Sequence, residues 1–508
     1  MRKFIFTLLL FLMDNSMALA GAIDEKIDAV MAPISDFLSG IVFYPIPLFG
    51  AEIPITILWI LIAGIFVTLY FRGVSIWGFK HALSLILSKE KKEKDEGSGE
   101  VSTLQALCTA LSGTVGLGSI AGVAISISIG GPGAAFWILV GALFGMSLKL
   151  CESTLAIKYR RFNPDGSVSG GPMHYIAHGL TRKGLRWLGQ PMALLFAFLL
   201  IPGALGGGNM LQANQATIQV INMTGGENSI FYNNAWMVGL LIAIFVGTVV
   251  IGGIKSIVKV TEKIVPFMCV LYVILASILV LMHITQLPVA LMTIIKEAFM
   301  PNAIYGGVAG TIIIGLRRSV QSNEAGAGSA PIAYATVKTK EPLKQGFVSL
   351  LEPFITACMC LLSASSLVVT GAYLQFTDGV SGIQITAKAF EGLFWGSDII
   401  LAIIVILFAV TTIISWAYYG QKGLTYMFGE KKWLIFAFQI VFCLFIVVGS
   451  SMNVQSIIDF TDAGLLAMSI PNIIAIYILI PDIKKDLKAY ALKNKLALEF
   501  NKRWYKNS

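Results

Sequence analysis

The chain has 508 residues, of which 56% are hydrophobic and 13% charged, with a net charge of +9 and a mean hydropathy of +0.79. Soluble domains carry about 25% charged residues, so a string of water-soluble domains is excluded and a polytopic membrane protein is expected. The six cysteines lie scattered in apolar stretches without metal-site or disulfide spacing, and read as small buried hydrophobes.

Residues 1–20, MRKFIFTLLLFLMDNSMALA, combine a basic start, an apolar run from Phe4 to Met13 and an Ala18-Leu19-Ala20 ending. This is the pattern of a cleaved signal peptide; Asp14 and Asn15 depart from it, and a short uncleaved anchor is the alternative. Residues 21–100 hold an extension, one apolar span and the run SKEKKEKDEGSG, a solvated charged linker. Hydropathy places spans at 53–71, 104–129, 134–157, 188–206, 236–251, 264–282, 303–316, 347–371, 398–416, 433–449 and 460–480. The last ten form a core over 101–480, and 481–508 is a basic tail. The expected fold is all-α, with about eleven transmembrane helices.

Threaded from an exterior start, alternate connections and the tail collect thirty-one Lys and Arg on one side, against Lys26, Lys296 and Lys388 on the other. The positive-inside rule makes the first side cytoplasmic. The basic balance thus reports topology, and no nucleic-acid partner is required. With the first span set aside, ten helices divide into two fives of opposite topology, as in an inverted-repeat transporter. Such a repeat predicts that the first helix of each half is interrupted. In the first half SGTVGLGSIAGVA carries Gly113, Gly116, Gly118 and Gly122; in the second AIYGGVAGTIIIG carries Gly306, Gly307 and Gly310. Glycine costs about 1 kcal/mol relative to alanine inside a helix, so these read as breaks, with close small-residue helix packing as the competing reading. A broken helix frees N–H groups that suit a carboxylate and carbonyls that suit an ammonium group or Na⁺. A small zwitterionic amino acid with Na⁺ needs both kinds.

Several long motifs then carry a resemblance. They are LQALCTALSGTVGLGSIAGVA with GGPGAAFWILVGALFGMSLKLCESTLAIKYR, GGPMHYI from Gly170, GGGNMLQAN (Gly206–Asn214), SNEAGAGSAPIAYA (Ser322–Ala335) and TTIISWAYYG (Thr411–Gly420). In order, and over nearly all of 50–480, the sequence resembles the alanine or glycine:cation symporter family. The resemblance implies a leucine-transporter-type 5+5 inverted repeat with one extra N-terminal helix. It also implies Na⁺-driven uptake of a small neutral amino acid, alanine or glycine, by alternating access across the plasma (inner) membrane, with a monomer as the unit. No catalytic residue and no cofactor beyond the co-transported Na⁺ are implied. Carried over residue by residue, Gln105, Thr114, Gly116, Gly118 and Ser119 line the first broken helix, and Gly306, Gly307 and Gly310 the second. Thr412 and Trp416, four apart on one helix face, meet the substrate. Gly113, Thr411, Thr412 and Ser415 are the candidate ion ligands. Asn209, Gln212 and Asn214 line a pathway or bond between helices. Ser322–Ala335 is expected to be a cytoplasmic loop.

The sequence also departs from the family. Ser119 stands where the family has asparagine, Thr356-Ala357 where it has an Asp-Thr pair, and GLRRSVQSNEAG replaces the commoner Arg-Gly-Phe wording. Lys149 and Glu152, three apart, are expected to pair with each other or to reach the interface. Glu324 joins Arg317 or Arg318 in an inner gate, or forms a static loop pair. Asp459 and Asp462 are expected at the exterior interface. The four histidines lack metal-ligand spacing. A proton-coupled transporter of the same fold is the main alternative, and an intramembrane carboxylate would favour it. A membrane-embedded amino acid sensor is a weaker one. A membrane enzyme would need a nucleophile–base pair or metal cluster at depth, and the sequence offers neither.

Overall fold

The structure is a computed structural model that describes residues 42–48, 51–87, 97–164, 166–300, 307–375 and 382–494, with a few isolated positions besides. The expected signal peptide lies outside the described residues. A hairpin of β1 (Pro45–Leu48) and β2 (Ala51–Pro54) leads into α1 (Ile55–Tyr70). The chain bends by 67° before continuing through Val74–Leu87. Arg72 and Gly73 make that bend with φ of 53° and 72°.

The first half starts with α2 (Thr103–Thr114) and α3 (Ala121–Gly130), which meet at 59°. Helix α2 opens on a capping box, in which Ser102 and Gln105 exchange side-chain bonds with each other's backbone N–H. Then come α4 (Gly133–Lys158), the short hairpin β3 (Arg161–Phe162) and β4 (Val168–Ser169), and α5 (Pro172–Arg182). Helix α6 (Arg186–Leu205) passes through a π turn at Gly206–Met210 into α7 (Leu211–Met223), making one 38-residue rod. α8 (Ala235–Val250) and α9 (Gly253–Met282) close this half.

After α10 (Leu287–Phe299), the second half starts with α11 (Gly307–Asn323) and α12 (Pro331–Tyr334). It continues through α13 (Leu351–Thr370), α14 (Ile383–Phe390), α15 (Ser397–Phe428), α16 (Lys432–Ser451) and α17 (Val454–Lys493). Each of the eleven expected spans overlaps one of these helices. Among the described residues seven helices are long and apolar enough to cross a membrane, or nine when each bent pair counts as one span. The other two expected spans fall on α8 and α11, which have only 16 and 17 residues. Helix α17 also continues thirteen residues past the expected boundary at 480.

Close approach of backbones substitutes for large side chains at several crossings. A Cβ placed on Gly464 of α17 would sit 3.1 Å from Gly203 Cα of α6, the small-residue contact that membrane helices use when lipid offers no hydrophobic drive. Several buried charges are paired with opposite ones. Lys149 is fully buried and meets Glu352 of α13 at 2.9 Å, so it neither pairs with Glu152 nor reaches an interface. Asp459 and Asp462 lie within α17, and Asp462 is buried against Arg317 and Arg318. Arg317 reaches Asp459 at 2.8 Å and stacks over the Phe43 ring at 4.2 Å. Those arginines therefore belong to a helix, and they leave the loop charge count, which still favours the same side by twenty-nine to three.

Removing one partner of a buried ion pair costs about 3–5 kcal/mol, whereas replacing both with apolar groups is close to neutral. Glu352→Ala is expected to lower the unfolding temperature of the purified protein steeply. The double variant Lys149→Met/Glu352→Leu is expected to recover most of that loss; equal destabilisation by both would contradict the pairing.

Candidate binding site at two helix breaks

The first break begins where α2 runs out of helical backbone at Thr114. Val115 adopts φ −81°, ψ 68° and Gly116 an extended φ −110°, ψ −158°, after which Leu117–Ser119 make a single 3₁₀ turn. Glycine is required at 116 because a Cβ there would lie 2.5 Å from Thr412 Oγ1 and 3.1 Å from Gln212 Oε1. Breaking the helix frees backbone groups, and neighbouring side chains take them up. Thr412 Oγ1 donates to Ser112 O at 2.8 Å, and Trp416 Nε1 reaches Gly113 O at 3.4 Å. Ser363 Oγ donates to Ser119 O at 2.7 Å, and Ser322 Oγ to Gly118 O at 3.3 Å. The Leu117 N–H donates to Gln212 Oε1 at 3.1 Å, and Gln212 in turn donates to Gly207 O in the π turn. Ser112 Oγ bonds Ser415 Oγ directly.

Among the described residues, the interruption of the second half lies C-terminal to the glycines of 306–310. Gly306 lies outside the described residues; Gly307, the first described residue of α11, takes φ of 68°, and the helix then runs without interruption through Gly310 to Asn323. The chain unwinds instead over Glu324–Ala330, inside the motif expected to be a loop. Glu324, Gly326 and Gly328 there take φ of 52°, 88° and 86°. Asn323 Oδ1 accepts from the Ala325 N–H at 2.9 Å. Glu152 Oε1 accepts from the Gly326 N–H at 2.9 Å, and Asn472 Nδ2 donates to Gly326 O at 2.8 Å. Glu324 turns back toward the first break and accepts from Trp416 Nε1 at 3.1 Å and from Ser329 Oγ. It does not join Arg317 or Arg318, which Asp459 and Asp462 occupy. A single indole N–H thus touches both breaks.

The structure brings Gly113, Gly116, Gly118, Thr412, Ser415 and Trp416 together. Gly118 abuts α11, where a Cβ would be 3.4 Å from Gln321 O. Thr114 is buried and bonds its own helix through Ala110 O, and Ser119 presents a buried hydroxyl with no hydrogen-bond partner among the described residues. Thr411 points elsewhere, toward Met268 Sδ of α9 and Leu407 O. Gln105 is also displaced: it sits in the first turn of α2 and bonds Glu262 of α9 at 2.8 Å. Ten residues separate it from Val115, about 15 Å along a helix. Asn209 and Asn214 serve as interhelical donors, to Phe442 O at 2.7 Å and to Met452 O at 2.9 Å. The residues that sequence reasoning missed are Ser112, Ser322 and Ser363, hydroxyls whose role is visible only once their helices meet. Gly208 is another: a Cβ there would fall 2.0 Å from Trp416 Cγ, so the π turn is where the indole is seated.

Each half thus contains one interrupted helix, as the leucine-transporter-type fold requires. The solved structure of MhsT in complex with L-phenylalanine shares it, with a TM-score of 0.55 at 14% identity over 75% of this chain and 90% of that one. A family model described as "Sodium:alanine symporter family" matches residues 46–502. The chain belongs to the sodium:alanine symporter family. Its relatives include the sodium/alanine symporter AgcS of Methanococcus maripaludis, 38% identical over 86% of this chain and 94% of that protein. The probable sodium/glutamine symporter GlnT of Bacillus subtilis is 36% identical over 78% and 80%. The amino-acid carrier protein AlsT of Bacillus subtilis is 32% identical over 86% and 89%. As a member of this family the chain is a multi-pass, cation-coupled amino acid symporter and not an enzyme.

The two candidate glycine sets make opposite predictions. Gly116→Ala drives a methyl group into Thr412, and Gly326→Ala forces a side chain to φ 88°, so each is expected to reduce substrate uptake by proteoliposomes at least tenfold. Gly310→Ala, inside a regular helix, is expected to leave uptake within about twofold and to stabilise the helix slightly. The reverse ranking would move the second break back to 306–310.

Proposed function

We propose that this protein couples Na⁺ entry to uptake of a small neutral amino acid, alanine or glycine, by alternating access. The observation that carries the reading is the pairing of freed carbonyls with rotatable donors at the first break. Ser112 O and Gly113 O lie beneath the Thr412 hydroxyl and the Trp416 indole. When a hydroxyl turns away from a carbonyl, both oxygens become ligands for a hard cation. Ser112 O, Gly113 O, Thr412 Oγ1 and Ser415 Oγ then supply the Na⁺ shell, and Thr411 is not needed. The amino acid carboxylate faces the N–H groups at the start of the 3₁₀ turn and α3, and the ammonium group faces carbonyls of the second break.

Selectivity for a neutral side chain follows from the surroundings. Trp416 is almost wholly buried, packed on Gly208 and edge-on to Tyr419 at 5.5 Å. Glu324, the one carboxylate beside it, already accepts a bond on each oxygen. Ser119 Oγ and Gln321 Nε2 remain as uncharged polar groups. Such a site offers no free charge to meet an ionic side chain.

Alternating access requires two barriers. Gln105 bonded to Glu262 ties the foot of α2 to α9 on the Lys/Arg-rich side, which the positive-inside rule makes cytoplasmic. Arg317 and Arg318 bonded to Asp459 and Asp462 tie α11 to α17 on the other side of the breaks. The transport unit is one chain, set in the plasma membrane with its C-terminus in the cytoplasm.

Purified protein in liposomes is expected to accumulate labelled alanine or glycine under an inward Na⁺ gradient and not under an inward proton gradient alone. Uptake that follows the pH gradient and ignores Na⁺ would overturn the coupling assignment. Thr412→Val is expected to weaken the apparent Na⁺ affinity at least tenfold, whereas Thr411→Val leaves it within about twofold, because only Thr412 reaches the freed carbonyl.

A further inference from the structure

Four ionisable side chains lie at the second break, each 2% exposed or less: Lys149 and Glu152 of α4, Glu324 of the unwound segment and Glu352 of α13. One ammonium group faces three carboxylates. Their partners are unequal. Glu352 takes the lysine at 2.9 Å and accepts from Tyr334 OH at 2.7 Å. Glu324 accepts a bond on each oxygen. Glu152 accepts two bonds on Oε1, from the Gly326 N–H and from Asn472 Nδ2 at 2.7 Å, while its Oε2 is buried with no partner among the described residues.

The other polar groups around Glu152 supply no further cation. Cys151 shares its helix. Tyr175 of α5 donates its hydroxyl to Asn472 Oδ1, Tyr334 is engaged by Glu352, and Tyr419 of α15 contributes only a phenol near Glu324. Arg318 of α11 is held by Asp462 and Gln321. Lys344 lies on Pro342–Val348, which packs on α4 beside Thr154. Glu297 of α10 is at the far end of α4, against Gly133.

A carboxylate removed from water without its own cation gains a proton before it stays charged, because an unpaired neutral hydroxyl costs less than an unpaired charge. We propose that Glu152 is a proton-binding site, in which Oε2 takes up one proton and the charge state of the group sets how firmly it holds the unwound segment at Gly326. In the ionised state Glu152 grips the Gly326 N–H through a charge-assisted bond; in the protonated state the same bond is a weaker neutral one. The site is separate from the Na⁺ position assigned above and adjoins the amino acid position only through Gly326 of the second break. It gives the symporter a pH-dependent control on its second helix break, independent of which ion drives transport.

Infrared difference spectroscopy on the full chain in liposomes, without Na⁺ or amino acid, reads this directly. Titration from alkaline to mildly acid buffer is expected to develop the C=O stretch of one buried protonated carboxyl group. Glu152→Gln keeps an oxygen acceptor for Gly326 and Asn472 but cannot titrate, so the band is expected to vanish while circular dichroism is unchanged. A wild-type protein without the band, or a band that persists in Glu152→Gln, overturns the proposal. Should Glu152→Gln fail to fold, Asn472→Ala decides. Losing a donor to the ionised form must move the titration to higher pH, and an unmoved titration overturns the proposal. None of these readings requires transport, so they stand or fall apart from the symport assignment.

Discussion

A polypeptide inside a membrane must satisfy every backbone N–H and C=O from within the protein, because lipid offers no partner. This constraint governs the molecule. Interrupting a helix at Val115–Ile120 releases groups that four other elements come to bond: α7 through Gln212, α11 through Ser322, α13 through Ser363, and α15 through Thr412 and Trp416. The second interruption is met by Glu152 and Asn472 from α4 and α17. The breaks are therefore not weak points in isolated helices. They are the places where the helices of both halves are tied to one another, and a ligand bound as proposed would exchange its own groups for some of these bonds.

Polar side chains follow the same logic. Arg317 and Arg318 are accommodated inside a helix because Asp459 and Asp462 neutralise them, and Lys149 because Glu352 does. Such pairs add little net stability but are costly to split. They make a particular helix arrangement all-or-none, which a transporter that rocks between two states requires. The hydroxyls at the first break act in the opposite sense. Each can rotate away from its carbonyl at small cost, so the site can open to a cation without unfolding.

Much of this was legible in the sequence, and the failures have physical causes. The composition, the asymmetry of Lys and Arg, and the glycines at 113–122 led to a helical membrane transporter with a broken first helix, and the family motifs to its fold. The second break was misplaced because hydropathy counts Arg317, Arg318 and Glu324 as loop residues, when their partners sit on α15 and α17, far away in sequence. Gly306–Gly310 looked like the break since it lies in the apolar part of the span, but glycine alone does not unwind a helix. Glu324–Ala330 unwinds because left-handed backbone positions coincide with side chains able to bond the freed groups. Gln105 and Thr411 were assigned from motif proximity, and helix rotation and rise carried them to other neighbours. Lys149 was paired with Glu152 by spacing along one helix, whereas burial selected the carboxylate on α13. Sequence spacing finds neighbours within an element; these contacts cross between elements.

We place one amino acid and its coupled cation where Val115–Ile120 meets Glu324–Ser329, beneath Trp416. A density map of the protein solved with Na⁺ and alanine present tests this placement most directly. Ligand density is expected between those two segments, with the cation against Ser112 O, Gly113 O and Thr412 Oγ1. Density for the amino acid beside Gly307–Gly310 instead, with the Glu324 segment untouched, would contradict it.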